Sequence, residues 1–442
     1  MHAYKKIALL FLLLSQFAFC QIKIYTSDID NYWQAYDSIS TTHDFTQRLN
    51  LINKLYINKG TKGLKAFMKA RRYRDTLYVK HIEAYPLFWN SIRPNTLAVK
   101  SKTKEIEEAI ARLKSLYPQL KPAELYFTIG GFRSGGTVEG NMVLVGCEIA
   151  TGRPEIDMSE FKNPWLAGFF SKQDADHIVP LTIHEYIHTQ QKQAEHKTVL
   201  AFALSEGSAD FITELVMRKT LITSYLSYGR EHAATIKKSF RKEMFATSIE
   251  RWLFNGSYLG AESDMGYYIG YEICKAYYNN SSDKAKAIKD IIELNYASEA
   301  TLEKFLEQSH FYDESIDREK TIQEYNQSLP HIVSYEPFKN GQKDVDSGIK
   351  EFKITFSKPM DPENFSVYFT KKGKDYFPLD KLLRMEDDNR TFVFATKIWA
   401  GKNYEFIISN EEFSTPDRFK ISDENITIKF STKAFDFPSD KK

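Results

Sequence analysis

His184-Glu185-Tyr186-Ile187-His188 sets two imidazoles four positions apart with a carboxylate beside the first, and Glu206-Gly207-Ser208-Ala209-Asp210 follows downstream. Residues four apart on a helix share a face, so His184 and His188 can converge on one metal ion while Glu185 points beside it. A catalytic zinc takes three protein ligands and keeps a fourth position for water, so a third donor must come from elsewhere in the chain. Glu206 is the candidate. It lies at the start of a helix-like stretch, 205–218, whose Ala209, Phe211, Ile212 and Leu215 make an apolar face. Asp210, one turn on, falls on the same face, where its carboxylate can accept the second ring N–H of a ligating His. Zinc is expected from ligand type, although a His-His-Glu set with an open position would also accept cobalt or manganese.

Elements must hold these groups. Pro180-Leu181-Thr182-Ile183 opens the helix that carries the motif, with Leu181, Ile183 and Ile187 interleaved among its polar residues. Upstream, 125–129 and 142–146 read as two strands around the glycine-rich run 130–137. That run lacks the Gly-Lys-Ser/Thr ending of a phosphate loop and leads into no helix, so a hairpin is the better reading.

The ligand set resembles the gluzincin group of zinc metallopeptidases, through His184, Glu185, His188, Glu206 and the second-shell Asp210. More broadly, Thr26-Ser27-Asp28-Ile29-Asp30 and Gly266-Tyr267-Tyr268-Ile269-Gly270-Tyr271 look like segments of predicted secreted zinc peptidases of Gram-negative bacteria. The resemblance implies hydrolysis of a peptide or protein substrate. Zinc lowers the pKa of its bound water to about 7 and Glu185 serves as general base. It also implies an oxyanion donor from a segment after the third ligand, for which Tyr267 is favoured over Tyr268, Tyr271 and His232. In the resembled peptidases the strand before the motif helix is a cleft edge. Here that edge would be 141–149, with Val143, Leu144, Val145 and Gly146 binding an extended substrate.

The N-terminus suggests export. Lys5 and Lys6 precede the apolar stretch 7–19, too short for a bilayer span of about 20 residues and right for a signal peptide over residues 1–20. Ala18-Phe19-Cys20 allows cleavage before Gln21, giving a periplasmic, cell-surface or extracellular protein; Cys20 also allows a lipid-anchored one. Cys147 and Cys274 could form one disulfide in such a compartment.

The fold class expected is α+β. An α-rich zincin-like domain with a small sheet would span 21–328, its helical first part running over about 27–117. A different texture begins after Leu329-Pro330, where alternating runs at 352–356, 365–369, 391–394, 404–408 and 426–430 suggest an Ig-like β-sandwich over 331–434. Of 442 residues 42% are hydrophobic, enough for two or three cores. The formal charge of +2 is nearly neutral, and no nucleic-acid partner is expected. Oligomeric state is not legible. Two further function classes stay open: a zinc hydrolase of a non-peptide bond such as a cell-wall amide, and a surface-binding or adhesion protein whose sandwich carries the function.

Overall fold

The structure is a computed structural model that describes residues 22–173, 176–192, 195–256 and 262–434. The signal segment and Cys20 lie outside the described residues. Helix and strand are mixed, as an α+β chain requires, and the chain divides into two compact units.

In the first unit (1–237 and 252–315), the early helical signals become α1 (Ser27–Ile39), α2 (Phe45–Ile52), α3 (Lys62–Ala70), α4 (Asp75–Ala84), α5 (Pro86–Ala98) and α6 (Thr103–Leu116). Local chemistry sets their starts. The Asp44 carboxylate accepts from Gln47 N at 2.6 Å and the Thr61 hydroxyl from Leu64 N at 3.2 Å, each satisfying an otherwise orphaned first-turn N–H. Pro86 occupies the first turn of α5, where its missing N–H costs nothing. Facing sides of these helices pool aromatic rings. Tyr32 sits among Trp33, Tyr56 and Trp89 at centroid separations of 5.1–5.3 Å, a range that favours edge and tilted ring packing.

Behind them lies a four-stranded sheet of β1 (Lys23–Tyr25), β2 (Glu124–Thr128), β3 (Gly136–Glu139) and β4 (Met142–Gly146), in the order β1-β2-β4-β3. This corrects two expectations. The strands read as a hairpin, β2 and β4, pair in parallel, and the hairpin is instead β3 with β4, turned at Gly140 with φ +59°. Nor is β4 an edge. It lies between β2 and β3, and Val143, Leu144 and Val145 are fully buried, so they offer no surface to an extended ligand. A continuous apolar run covered on both faces marks an interior strand; the true edge, Gly-Thr-Val-Glu, is too short and polar to announce itself.

The unit continues through α7 (Cys147–Ala150), α8 (Trp165–Phe170), α9 (Ile178–His188), α10 (Val199–Met217), α11 (Ser224–Glu231), the first residues of α12 (Ala233–Glu243, which belongs to the second unit from Lys238 on), α13 (Met265–Asn280), α14 (Lys284–Ile292) and α15 (Glu299–Ser309). Helix α9 is buried nearly all round, as a central helix should be. Against it packs α10, which starts earlier than its sequence signal because Thr198 caps it, accepting from Ala201 N at 3.3 Å. Cys147 and Cys274 are both buried free thiols and form no disulfide.

The second unit (238–251 and 316–442) holds α16 (Arg318–Ser328) and two four-stranded sheets, β5-β7-β10-β9 and β6-β12-β11-β8. The expected strands appear as β7 (Glu351–Phe356), β8 (Val367–Phe369), β10 (Thr391–Thr396), β11 (Asn403–Ile408) and β12 (Ile426–Thr432). Added to them are β5 (Ile332–Glu336), β6 (Gln342–Val345) and β9 (Leu379–Glu386), whose residues are mostly exposed or half-buried and give little inward alternation to read. Phe352, Ile354 and Phe356 alternate inward along β7 to meet Phe406, Ile428 and Phe430 from the other sheet in one core.

Candidate metal centre

One turn of α9 and one turn of α10 build the centre. His184 and His188 face the same way from α9, their Nε2 atoms 3.0 Å apart. Glu206 reaches them from α10, with Oε2 3.3 Å from His184 Nε2 and 3.1 Å from His188 Nε2. A tetrahedral zinc with bonds of about 2.0–2.1 Å has ligand atoms about 3.3 Å apart, so this triangle has the size of one face of such a site. Among the described residues it is the group of His, Cys, Asp and Glu side chains whose ligand atoms converge closely enough to hold an ion.

Both imidazoles are oriented from behind. Asp210 Oδ1 accepts from His184 Nδ1 at 2.8 Å, and Asp210 Oδ2 takes a hydrogen bond from the Tyr225 hydroxyl at 2.9 Å. Gln191 does for His188 what Asp210 does for His184: its Oε1 accepts from His188 Nδ1 at 2.7 Å. With both Nδ1 atoms committed as donors, both Nε2 lone pairs are left for a metal. Gln191 is itself held, since its Nε2 donates to Ser205 O and Ser208 Oγ, each at 2.9 Å. Sequence reading missed Gln191 and Tyr225. The signal for Gln191 was a Gln three positions past His188, which gains meaning only once α9 is known to end there.

Charge in the cluster follows from the pairing. Burial works against a charged His184, yet the Asp210 and Glu206 carboxylates carry its pKa well above the ordinary value. Burial likewise opposes charge on His188, and Glu206 raises it. Glu206 is held well below the usual carboxylate range by His188 and His184 in spite of its burial. Glu185 differs: burial dominates and pushes its carboxyl up. The Glu185 carboxylate lies against β3, where a Cβ on Gly136 would come within 2.5 Å of Oε1, so only glycine lets that strand pass so close.

Of the four residues considered as donors over the centre, one faces it. The Tyr267 ring stacks at 6.3 Å from His184 and packs against Tyr225 at 5.2 Å. Tyr268 is buried against Gly229, the Tyr271 hydroxyl donates to Glu214 at 2.7 Å, and exposed His232 bonds the Tyr228 carbonyl. What places Tyr267 is a glycine crossing one turn later, where α13 lies directly on α10. A Cβ on Gly270 would fall 1.7 Å from Ala203 O, and one on Gly207 would fall 2.1 Å from the Gly270 carbonyl carbon.

The three candidate ligands, with Glu185, Gln191, Asp210 and Tyr225, lie inside a longer similarity, whereas Tyr267 and the rest of α13 lie beyond it. Residues 20–259, more than half of the chain, match the family described as "Gliding motility protein GldB". The chain belongs to the GldB family. No peptidase family matches, and no curated protein matches the sequence. Family membership therefore corrects the reading as a gluzincin-type, secreted zinc peptidase: neither hydrolase activity nor a peptide substrate is supported, and the roles of base for Glu185 and oxyanion donor for Tyr267 have no assigned reaction to serve. The motif misled because a few residues can reproduce a set of donors while saying nothing about the reaction built around it.

Solved structures add little. The S-layer protein rSbsC(31-844) aligns with 12% identity and a TM-score of 0.18 over 92% of this chain and 44% of its own length. SbsC domains 1-6 aligns with 14% identity and a TM-score of 0.18, covering 61% of this chain and 36% of that one. Scores this low carry no structural argument, and the chain spans less than half of either protein.

Proposed function

We propose that the chain is a lipid-anchored cell-envelope protein that works in gliding through contacts with other proteins, and that it carries one divalent ion, zinc by ligand type, at His184, His188 and Glu206. The observation that carries this reading is the reach of the family match. It begins at Cys20, the residue that lipoprotein processing would acylate, and runs through both histidines, Glu206, Gln191, Asp210 and Tyr225. In this reading the ion fastens α9 to α10, the two helices around which the first unit is built, and so keeps a protein-binding body in shape. The second unit, with two sheets on one core, is read as an Ig-like sandwich, a module suited to contact at the cell surface.

The test is made in cells. Cys20→Ser is expected to move the protein out of the membrane fraction and abolish gliding, and His184→Ala with His188→Ala to abolish gliding while the acylated protein remains in the membrane. Normal gliding by both variants would overturn the proposal.

A further inference from the structure

The overall charge of +2 conceals a segregated stretch. From Phe45 to Arg74 the chain has nine Lys and Arg and no Asp or Glu. In the fold this stretch becomes α2, a π-helical turn over Asn53–Ile57, α3 and the turns flanking α3. Helix α3 buries Gly63, Leu64 and Phe67 and turns Lys62, Lys65 and Lys69 outward along one line, the i, i+3, i+7 spacing of a helix face. Lys54 and Lys59, before α3 in the sequence, and Arg72 and Arg74, after it, are exposed as well. Lys54, Lys65 and Lys69 make no salt bridge among the described residues.

This surface is tied to β1, which begins three residues after Cys20 in the sequence. Glu124 on β2 binds Lys23 Nζ at 3.2 Å and Lys62 Nζ at 2.5 Å, so one carboxylate joins the first residue of β1 to the first residue of α3. Lys23 is three residues from Cys20, a reach of at most about 11 Å at about 3.3–3.6 Å per residue. That is about the screening length at physiological salt, roughly 8–10 Å, within which fixed charges and a charged surface still attract.

We infer that the basic face of α3 and its flanking turns lies on the anionic headgroups of the bilayer that holds the lipid anchor. Acyl chains alone fix one point and leave the body free to turn; a basic patch beside that point supplies the second contact that sets orientation. Charge complementarity and closeness to the anchor both select a lipid surface, and the attraction grows with each Lys or Arg brought near it. The inference uses the proposed anchor to say which bilayer is met, so its test separates the two.

The experiment uses the full chain in Cys20→Ser form, which cannot be acylated, added to phosphatidylcholine vesicles with or without phosphatidylglycerol, followed by co-sedimentation. Binding is expected to the anionic vesicles only and to fade with added salt. Lys54→Gln, Lys65→Gln and Lys69→Gln together should weaken it by on the order of a hundredfold, about fivefold for each lysine. The matching Lys→Arg triple should bind as the parent does, which shows that charge and not packing is read. Equal binding to both vesicle types, an unaffected Gln triple, or tighter binding to a sulfated polysaccharide than to anionic vesicles would overturn the inference. Acylation of the unaltered chain is measured separately by mass spectrometry, so a failed anchor with intact anionic binding removes only the anchor, and the reverse result removes only the docking face.

Discussion

His188 and Gln191 are joined by a 2.7 Å hydrogen bond from Nδ1 to Oε1, and this bond decides which ring nitrogen His188 presents to a metal. Removing it should loosen the ring without touching a ligand. For Gln191→Leu we expect zinc affinity to fall by about 10–100-fold, the usual cost of losing a group that orients a ligating His. Chelator competition measures this; an unchanged affinity would show that His188 is oriented by packing alone.

Gly270 and Gly207 set a second expectation. A methyl group on Gly270 would meet the backbone of Ala203 and Gly207, so α13 must move away from α10. Gly270→Ala should cost about 3 kcal/mol or more, the upper part of the overpacking range, because backbone cannot rotate aside as a side chain can. Denaturant unfolding reads the loss. A change below about 0.5 kcal/mol, the size of an ordinary surface substitution, would mean that the crossing is looser than it stands here.

Glu148 supplies the pH dependence. It is fully buried, accepts from Gly130 N at 2.7 Å and Phe132 N at 3.2 Å, and burial still pushes its carboxyl up to about 7. Between the ordinary value of 4.5 and about 7 the folded chain keeps a proton that the unfolded chain releases. The contribution to stability is therefore fully present below 4.5 and is lost as pH rises through about 7, an integrated change of about 3 kcal/mol. Glu148→Gln cannot titrate, so its stability relative to the parent should climb across that window. A flat difference curve would contradict the assignment. Half-buried His81, pushed down to about 4 by burial and by Arg133, opposes Glu148, since its contribution is lost as pH falls. The comparison with the variant, rather than the raw curve, isolates the carboxyl.

How much the sequence disclosed depended on the range of the signal. Spacing within one helix was enough to place His184 beside His188, and a second helix one short loop later placed Glu206 and Asp210 against them. Alternation of apolar residues disclosed β7, β10, β11 and β12, whose inward faces are strongly apolar. Where position depends on partners distant in sequence, local pattern failed. β4 carries the composition of a strand but not the fact that β2 and β3 flank it. Tyr267 was favoured over Tyr268 and Tyr271 on sequence, but the Gly207–Gly270 crossing beside it is a close approach between two helices that no local pattern carries. The function was misjudged for a related reason: donors are local, whereas the family is written across more than half of the chain.

The central proposal is that His184, His188 and Glu206 bind one metal ion. Elemental analysis of the purified chain beside Glu206→Ala measures it. One zinc per chain that survives dialysis, and its loss from Glu206→Ala, is the predicted result. A chain free of metal after growth with zinc, or a variant that keeps its zinc, would contradict the centre described here.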